Sequence, residues 1–243
     1  MPIGVIINCL AVTIGGLCGN IVGQKLSDYM IEQLYMVLGL CSLGMGISSI
    51  VLMKNMPAVI FALVIGTGIG LLFQVGKWID RGAGLLEKGM TKMGVQNRNL
   101  LSQNEYRATL ITTIVLFCAS GTGIYGCLDA GMSGDSSILI SKSILDLFTA
   151  AIIACQIGLV TAMVALPQFL IFSLLLLCAK FIFPLTTITM IADFKACGGF
   201  LMLATGLRIL KMKEFPIADM LPAMVLVFPF SHLWEMVILP ILM

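Results

Sequence analysis

The chain alternates between long apolar runs and short polar or basic breaks. Eight runs stand out: 3–24, 31–53, 57–76, 106–128, 138–163, 166–185, 190–210 and 217–241. A helix rises about 1.5 Å per residue and bilayer hydrocarbon is about 30 Å thick, so about 20 apolar residues can cross it. The uncharged stretch from Leu147 to Ala179 is too long for one crossing, and Pro167 is the expected break inside it. The 190–210 run is the least regular, because Asp193, Lys195 and Arg208 shorten its uncharged centre. The pattern predicts an all-α membrane protein of about eight transmembrane helices.

One segment follows a different pattern. Between Gly76 and Met93, Trp78, Ile79, Leu85, Leu86, Met90 and Met93 interleave with charged residues. That predicts an interfacial amphipathic helix against anionic lipid. The Asn- and Gln-rich stretch up to Asn104 reads as an exposed connector.

A shift of 160 residues lays part of the chain on itself. Met30 falls on Met190, Gly39 on Gly199, Leu43 on Leu203, Gly46 on Gly206 and Ala58 on Ala218. Upstream, Asn8 meets Gln168 and Cys18 meets Cys178. Helices 1–3 then correspond to helices 6–8. An odd shift in helix number turns one unit upside down, the inverted repeat of many secondary transporters. The expected organisation is one polytopic domain: repeat one 1–76, a cytoplasmic amphipathic loop 77–105, a central hairpin 106–163 and repeat two 164–243.

Small residues recur on single helix faces. Gly15, Gly19 and Gly23 are four apart, as are Gly66 and Gly70, and the seventh run holds Gly199 and Gly206. Such faces let helix backbones approach closely, within the chain or across a homodimer.

Composition agrees with the pattern. Of 243 residues, 59% are hydrophobic and 11% charged, with mean hydropathy +1.08. Soluble domains carry roughly 25% charged residues. The net charge of +2 and the absence of a basic cluster argue against nucleic acid. The eight cysteines lie in apolar segments with no C-x-x-C, so neither a metal site nor a disulfide framework is expected, and no cofactor motif appears. His232 is the only histidine and no nucleophile–base set surrounds it, which argues against an enzyme. Lys77, Arg81, Lys88, Lys92, Arg98 and Arg107 crowd one connection, and Arg208, Lys211 and Lys213 another. By the positive-inside rule both face the cytoplasm, which puts both termini outside.

The chemistry concentrates in residues 117–151. Ser120, Gly121, Thr122, Gly123 and Gly126 weaken the outer half of the fourth helix, and Gly131 and Gly134 allow a tight or re-entrant connection before Asp135. Lys142 and Asp146 are four apart and share a helix face. An aspartate near mid-membrane costs about 2.5–3.5 kcal/mol on insertion scales, so Asp146 marks a polar cavity, an ion site or a structural pair. Asp193 enters from the same side and is expected to face one vestibule with Asp146. Arg208 and Asp219 read as anchors at the cytoplasmic interface, and His232, Trp234 and Glu235 as an outer belt.

The strings IVLFCASGTGIYGCLDAGMSGDSSILISKSILDLFTA, MIADFKACGGFLMLATGLRIL and FPIADMLPAMVL closely resemble the bacterial membrane family called domain of unknown function 554. The resemblance covers the whole chain and implies a bacterial inner-membrane protein without a settled activity. It marks Gly121, Gly123, Gly126, Gly134, Asp135, Lys142, Asp146, Asp193, Gly199, Gly206 and Arg208. Three functions fit: a secondary transporter or exchanger of a small polar solute or ion, a passive channel, or a non-transporting scaffold or sensor.

Overall fold

A computed structural model describes residues 3–22, 27–92 and 103–242. Among them the chain is helical throughout, with no strand. The helices are α1 (Ile3–Val22), α2 (Asp28–Ile50), α3 (Met56–Phe73), α4 (Val75–Lys92), α5 (Gln103–Cys118), α6 (Gly121–Ser133), α7 (Ser137–Ile157), α8 (Val160–Met163), α9 (Ala165–Ile182), α10 (Ile188–Ile209), α11 (Ile217–Leu233) and α12 (Leu239–Leu242). Eight helical segments are long and apolar enough to cross a membrane, as the hydrophobic pattern predicts. Gly23 and most of the connector after α4 lie outside the described residues.

Three boundaries differ from expectation. The fourth span, Thr109–Ser133, is two helices, α5 and α6, that break at Ala119 and Ser120. Ser120 has extended backbone and its hydroxyl accepts from Gly123 N at 3.2 Å, so it caps α6. Gly131 lies within α6, and the connection shrinks to a short turn begun by Gly134, whose φ of 75° suits glycine. The long uncharged stretch divides at Gly158, also at φ 75°, and not at Pro167. Pro167 sits in the first turn of α9, where a missing N–H costs nothing.

Contacts define the two ends of the bundle. Ser136, at the start of α7, lies beside Gly4, and Asp193, at the start of α10, bonds the α2–α3 corner. This is the end where α1 begins and α11 finishes. At the other end Asp219, near the start of α11, accepts from Gly76 N at 2.8 Å. There Gln74 at φ 54° turns α3 directly into α4. Trp78 and Leu85 of α4 are exposed, Ala83 is buried, and Arg81 lies 5.5 Å from the Trp78 ring. The expected amphipathic helix is present.

Glycines set the helix spacing. A Cβ at Gly15 would strike the Leu147 carbonyl, and one at Gly19 the Ala151 carbonyl, so α1 lies backbone to backbone along α7. Gly66 and Gly70 seat α3 on Ala223 and Asp219 of α11 in the same way. In the α2–α10 interface the contacts come in reciprocal pairs. A Cβ at Gly39 would lie 3.2 Å from Gly206 O, and one at Gly199 would lie 2.7 Å from Gly46 O. Leu43 packs on Gly206 as Leu203 packs on Gly46, and Leu210 meets Gly39 as Ile50 meets Gly199. Each pair maps onto the other under the 160-residue shift. Ser42 Oγ also donates to Met202 O at 3.1 Å, across a separation of 160. Removing a side chain here lets dispersion act between backbones in a medium that offers no hydrophobic drive.

These contacts separate two kinds of glycine. Gly19→Ala and Gly70→Ala are expected to lower the thermal midpoint in detergent, since overpacking costs about 1–3 kcal/mol. Gly44→Ala and Gly68→Ala meet open space, so they should leave the midpoint unchanged or raise it, glycine being about 1 kcal/mol worse than alanine in a helix. Equal losses at all four positions would contradict this packing.

Candidate functional site

The site is built around the α5–α6 break. Lys142 and Asp146 are both buried, on one face of α7, and form an ion pair. The Lys142 ammonium lies 5.9 Å from the ring centroid of Phe117, two residues before the break. A Cβ at Gly123 would come 3.1 Å from Lys142 Cε and 2.5 Å from Phe172 Cζ. Only glycine there leaves room for the lysine stem beside the capped start of α6.

Asp146 has a second partner. Asn8 Nδ2 of α1 donates to Asp146 Oδ2 at 2.9 Å, and Asn8 Oδ1 accepts from Gln168 Nε2 of α9 at 2.6 Å. Gln168 Nε2 also donates to Phe117 O at 3.4 Å, at the C-terminal end of α5. A polar chain thus runs from α7 through α1 and α9 to the break. Asn8 and Gln168 are fully buried, and Gln168 Oε1 has no hydrogen-bond partner among the described residues.

Two cavities meet at the break. A small one of about 50 Å³ is lined by Ser42, Ser120, Thr122, Lys142, Asp146, Thr149 and Thr205, with apolar residues between them. A larger one of about 450 Å³ includes Thr109, Thr112, Thr113, Gln156, Thr205 and Arg208 in its wall. Leu116, Ser120, Thr205 and Ile209 line both. Arg208 and Ala218 place the larger cavity toward the α4 end. Thr113 and Thr205 bond back to the carbonyls of Thr109 and Leu201 at 2.7 and 2.8 Å, so their hydroxyls cost little in an apolar helix. Toward the other end the core fills with rings: Tyr125 packs on Phe194 at 5.7 Å, and Phe194 stacks on Phe228 at 5.1 Å.

The remaining sequence candidates lie elsewhere. The shared vestibule for Asp146 and Asp193 is not formed. Asp193 is fully buried and accepts from Lys54 N and Asn55 N at 2.8 Å, Asn55 Nδ2 at 3.0 Å and Ser231 Oγ at 2.7 Å. It holds the start of α3, where a carboxylate meets free amides and the positive helix end. Lys195 pairs with Asp129 at 3.0 Å. Asp135 is exposed in the α6–α7 turn, where the Ser137 hydroxyl and then its backbone N–H hold the Asp135 carboxyl below its ordinary range. Ser120, Thr122 and Gly123 do converge on Lys142 and Asp146, and Gly121 opens α6 beside them. Gly15, Gly19, Gly66, Gly70, Gly199 and Gly206 all make backbone contacts. Among the described residues, no group of three His, Cys, Asp or Glu side chains could hold a metal ion.

The model of a family described as "Protein of unknown function (DUF554)" matches residues 3–232. The chain belongs to that family. Over 241 residues it is 42% identical to the uncharacterized protein YqgA of Escherichia coli (strain K12), covering 96% of this chain and 98% of the relative. Over 223 residues it is 26% identical to the uncharacterized membrane protein YdfK of Bacillus subtilis (strain 168), covering 92% and 93%. No solved structure matches the chain. DUF554 membership and the eight candidate spans together support a multi-pass membrane protein.

Sequence reading passed over Asn8 and Gln168 as site residues. The signal was there: two amides inside apolar runs that fall on each other under the 160-residue shift. Arg208, read as an interface anchor, lines the larger cavity.

The buried pair gives a direct test. Asp146→Ala or Lys142→Met alone leaves one uncompensated charge and should cost about 3–5 kcal/mol. The double variant should recover most of that loss in thermal unfolding. Additive losses would show that the two charges are not coupled.

Proposed function

We propose that the protein is a secondary transporter or exchanger of a small polar solute or ion in the bacterial inner membrane. The observation that carries this reading is the broken span α5–α6. Its break lies beside a buried ion pair and at the inner end of a cavity that opens toward the α4 end. Irregular backbone at membrane depth needs protein or a polar cavity around it. Discontinuous helices near the midplane are where transporters hold substrates and coupling ions. The ring stack of Tyr125, Phe194 and Phe228 on the opposite side favours a one-sided cavity over a through-pore.

The reciprocal contacts between α2 and α10 support an inverted repeat of α1–α3 and α9–α11. Asn8 and Gln168, equivalent under the shift, bond each other. In the same sense α1 lies along α7 through Gly15 and Gly19, and α9 lies along α6 through Gly131, which faces Leu176 and Ala179. The two halves of the central hairpin therefore take matching roles. Such a pair of units can rock about a fixed midplane site, which is what alternating access requires.

The clustered cations of 77–107 and 208–213 favour a cytoplasmic α4 end, with both termini outside. A C-terminal alkaline phosphatase fusion should then be active and a C-terminal green fluorescent protein fusion dark; the reverse would overturn the orientation.

Reconstituted protein should show saturable, solute-dependent flux across a panel of small polar solutes and ions. Asp146→Asn should reduce that flux strongly while the purified protein keeps its elution volume. No flux across the panel would count against transport, and single-channel conductance would replace it with a channel.

A further inference from the structure

We infer that the cavity at the α4 end takes a small polar organic anion and that Arg208 is its charge anchor. This rests on the transport reading and deepens it. Arg208 is the one charged residue among the described residues lining the 450 Å³ cavity. It is exposed, and no ion pair joins it to another described residue. Two carboxylates at the ends of the cavity, Asp219 and Asp146, are engaged elsewhere. Asp219, next to the lining Ala218, has both oxygens against Gly76 and accepts its N–H. Asp146, at the inner end, is neutralised by Lys142 and bonded by Asn8.

The cavity therefore has positive charge at its outer part and a neutral ion pair beyond its inner end. That inner end is also the start of α6, where a helix dipole favours negative charge. A cation would meet Arg208 with no carboxylate among the described lining residues to offset the repulsion. Size argues against a bare halide, since 450 Å³ falls in the range of small-molecule sites. The rest of the polar wall is uncharged: Thr109, Thr112, Thr113 and Ser120 down one face of α5 and its end, with Gln156 of α7 and Thr205 of α10. A carboxylate fits the guanidinium fork, and hydroxyl groups on the same molecule fit the threonine wall.

The test uses the full chain in mild detergent and follows thermal unfolding during titration with sodium gluconate, sodium lactate, choline chloride or sorbitol, against sodium chloride. Gluconate or lactate should raise the midpoint saturably, and choline and sorbitol should not. Arg208→Gln should weaken the half-saturating concentration by about tenfold or more, with Arg208→Lys between it and the natural chain. Stabilisation by choline or sorbitol alone, the same anion dependence in Arg208→Gln, or no response to either anion would overturn the proposal. Flux in proteoliposomes separates the two readings. Anion binding without flux leaves this site and removes the transporter, whereas flux of only neutral or cationic solutes leaves the transporter and removes this site.

Discussion

Lys142 and Asp146 hold opposite charges in a region too apolar to hydrate either one alone. In such surroundings each charge is stable only through the other and through hydrogen bonds that complete its shell. Asn8 supplies one of those bonds, Gln168 orients Asn8, and the same Gln168 reaches the end of α5. The pair therefore requires α1, α7 and α9 to meet at one depth, beside a helix that stops. Moving any of these helices by one turn would strand a charge or an amide in dry protein.

Glycine makes that convergence possible. The polar chain can be short because α1 rests directly on the backbone of α7 at Gly15 and Gly19. The α2–α10 and α3–α11 contacts use the same device. Asp193 and Asp219 then fix the two ends of α3, each by accepting backbone N–H groups next to that helix. These carboxylates act as latches at the ends of the bundle, which frees the interior polar groups for a different role.

Much of this was legible in the residues. Span length follows from bilayer thickness, so the eight crossings and the amphipathic α4 could be read directly. The i, i+4 spacing of Lys142 and Asp146 gave their pairing. The 160-residue shift anticipated contacts that recur in the α2–α10 interface. Other features depend on tertiary placement. Pro167 looked like a break, but proline is harmless in a first turn, and Gly158 ends α7 by adopting a left-handed φ. The break in the fourth span comes just before its glycines, which lie inside α6, and the Ser120 cap fixes where the helix restarts. Asp193 resembled a second site acid because sequence gives depth and not direction; the α2–α3 corner that consumes it is 138 residues away. Arg208 looked like an anchor for the same reason.

The central claim is that the α5–α6 break lies on a solute path reached from the α4 end. Thiol labelling of Ser120→Cys by a membrane-impermeant reagent, against the unsubstituted chain, tests it most directly. Vesicles with the α4 end outward should label at position 120, and vesicles of opposite orientation should label far more slowly. Equal resistance from both sides would mean that the break is sealed in dry protein, and the account would fail.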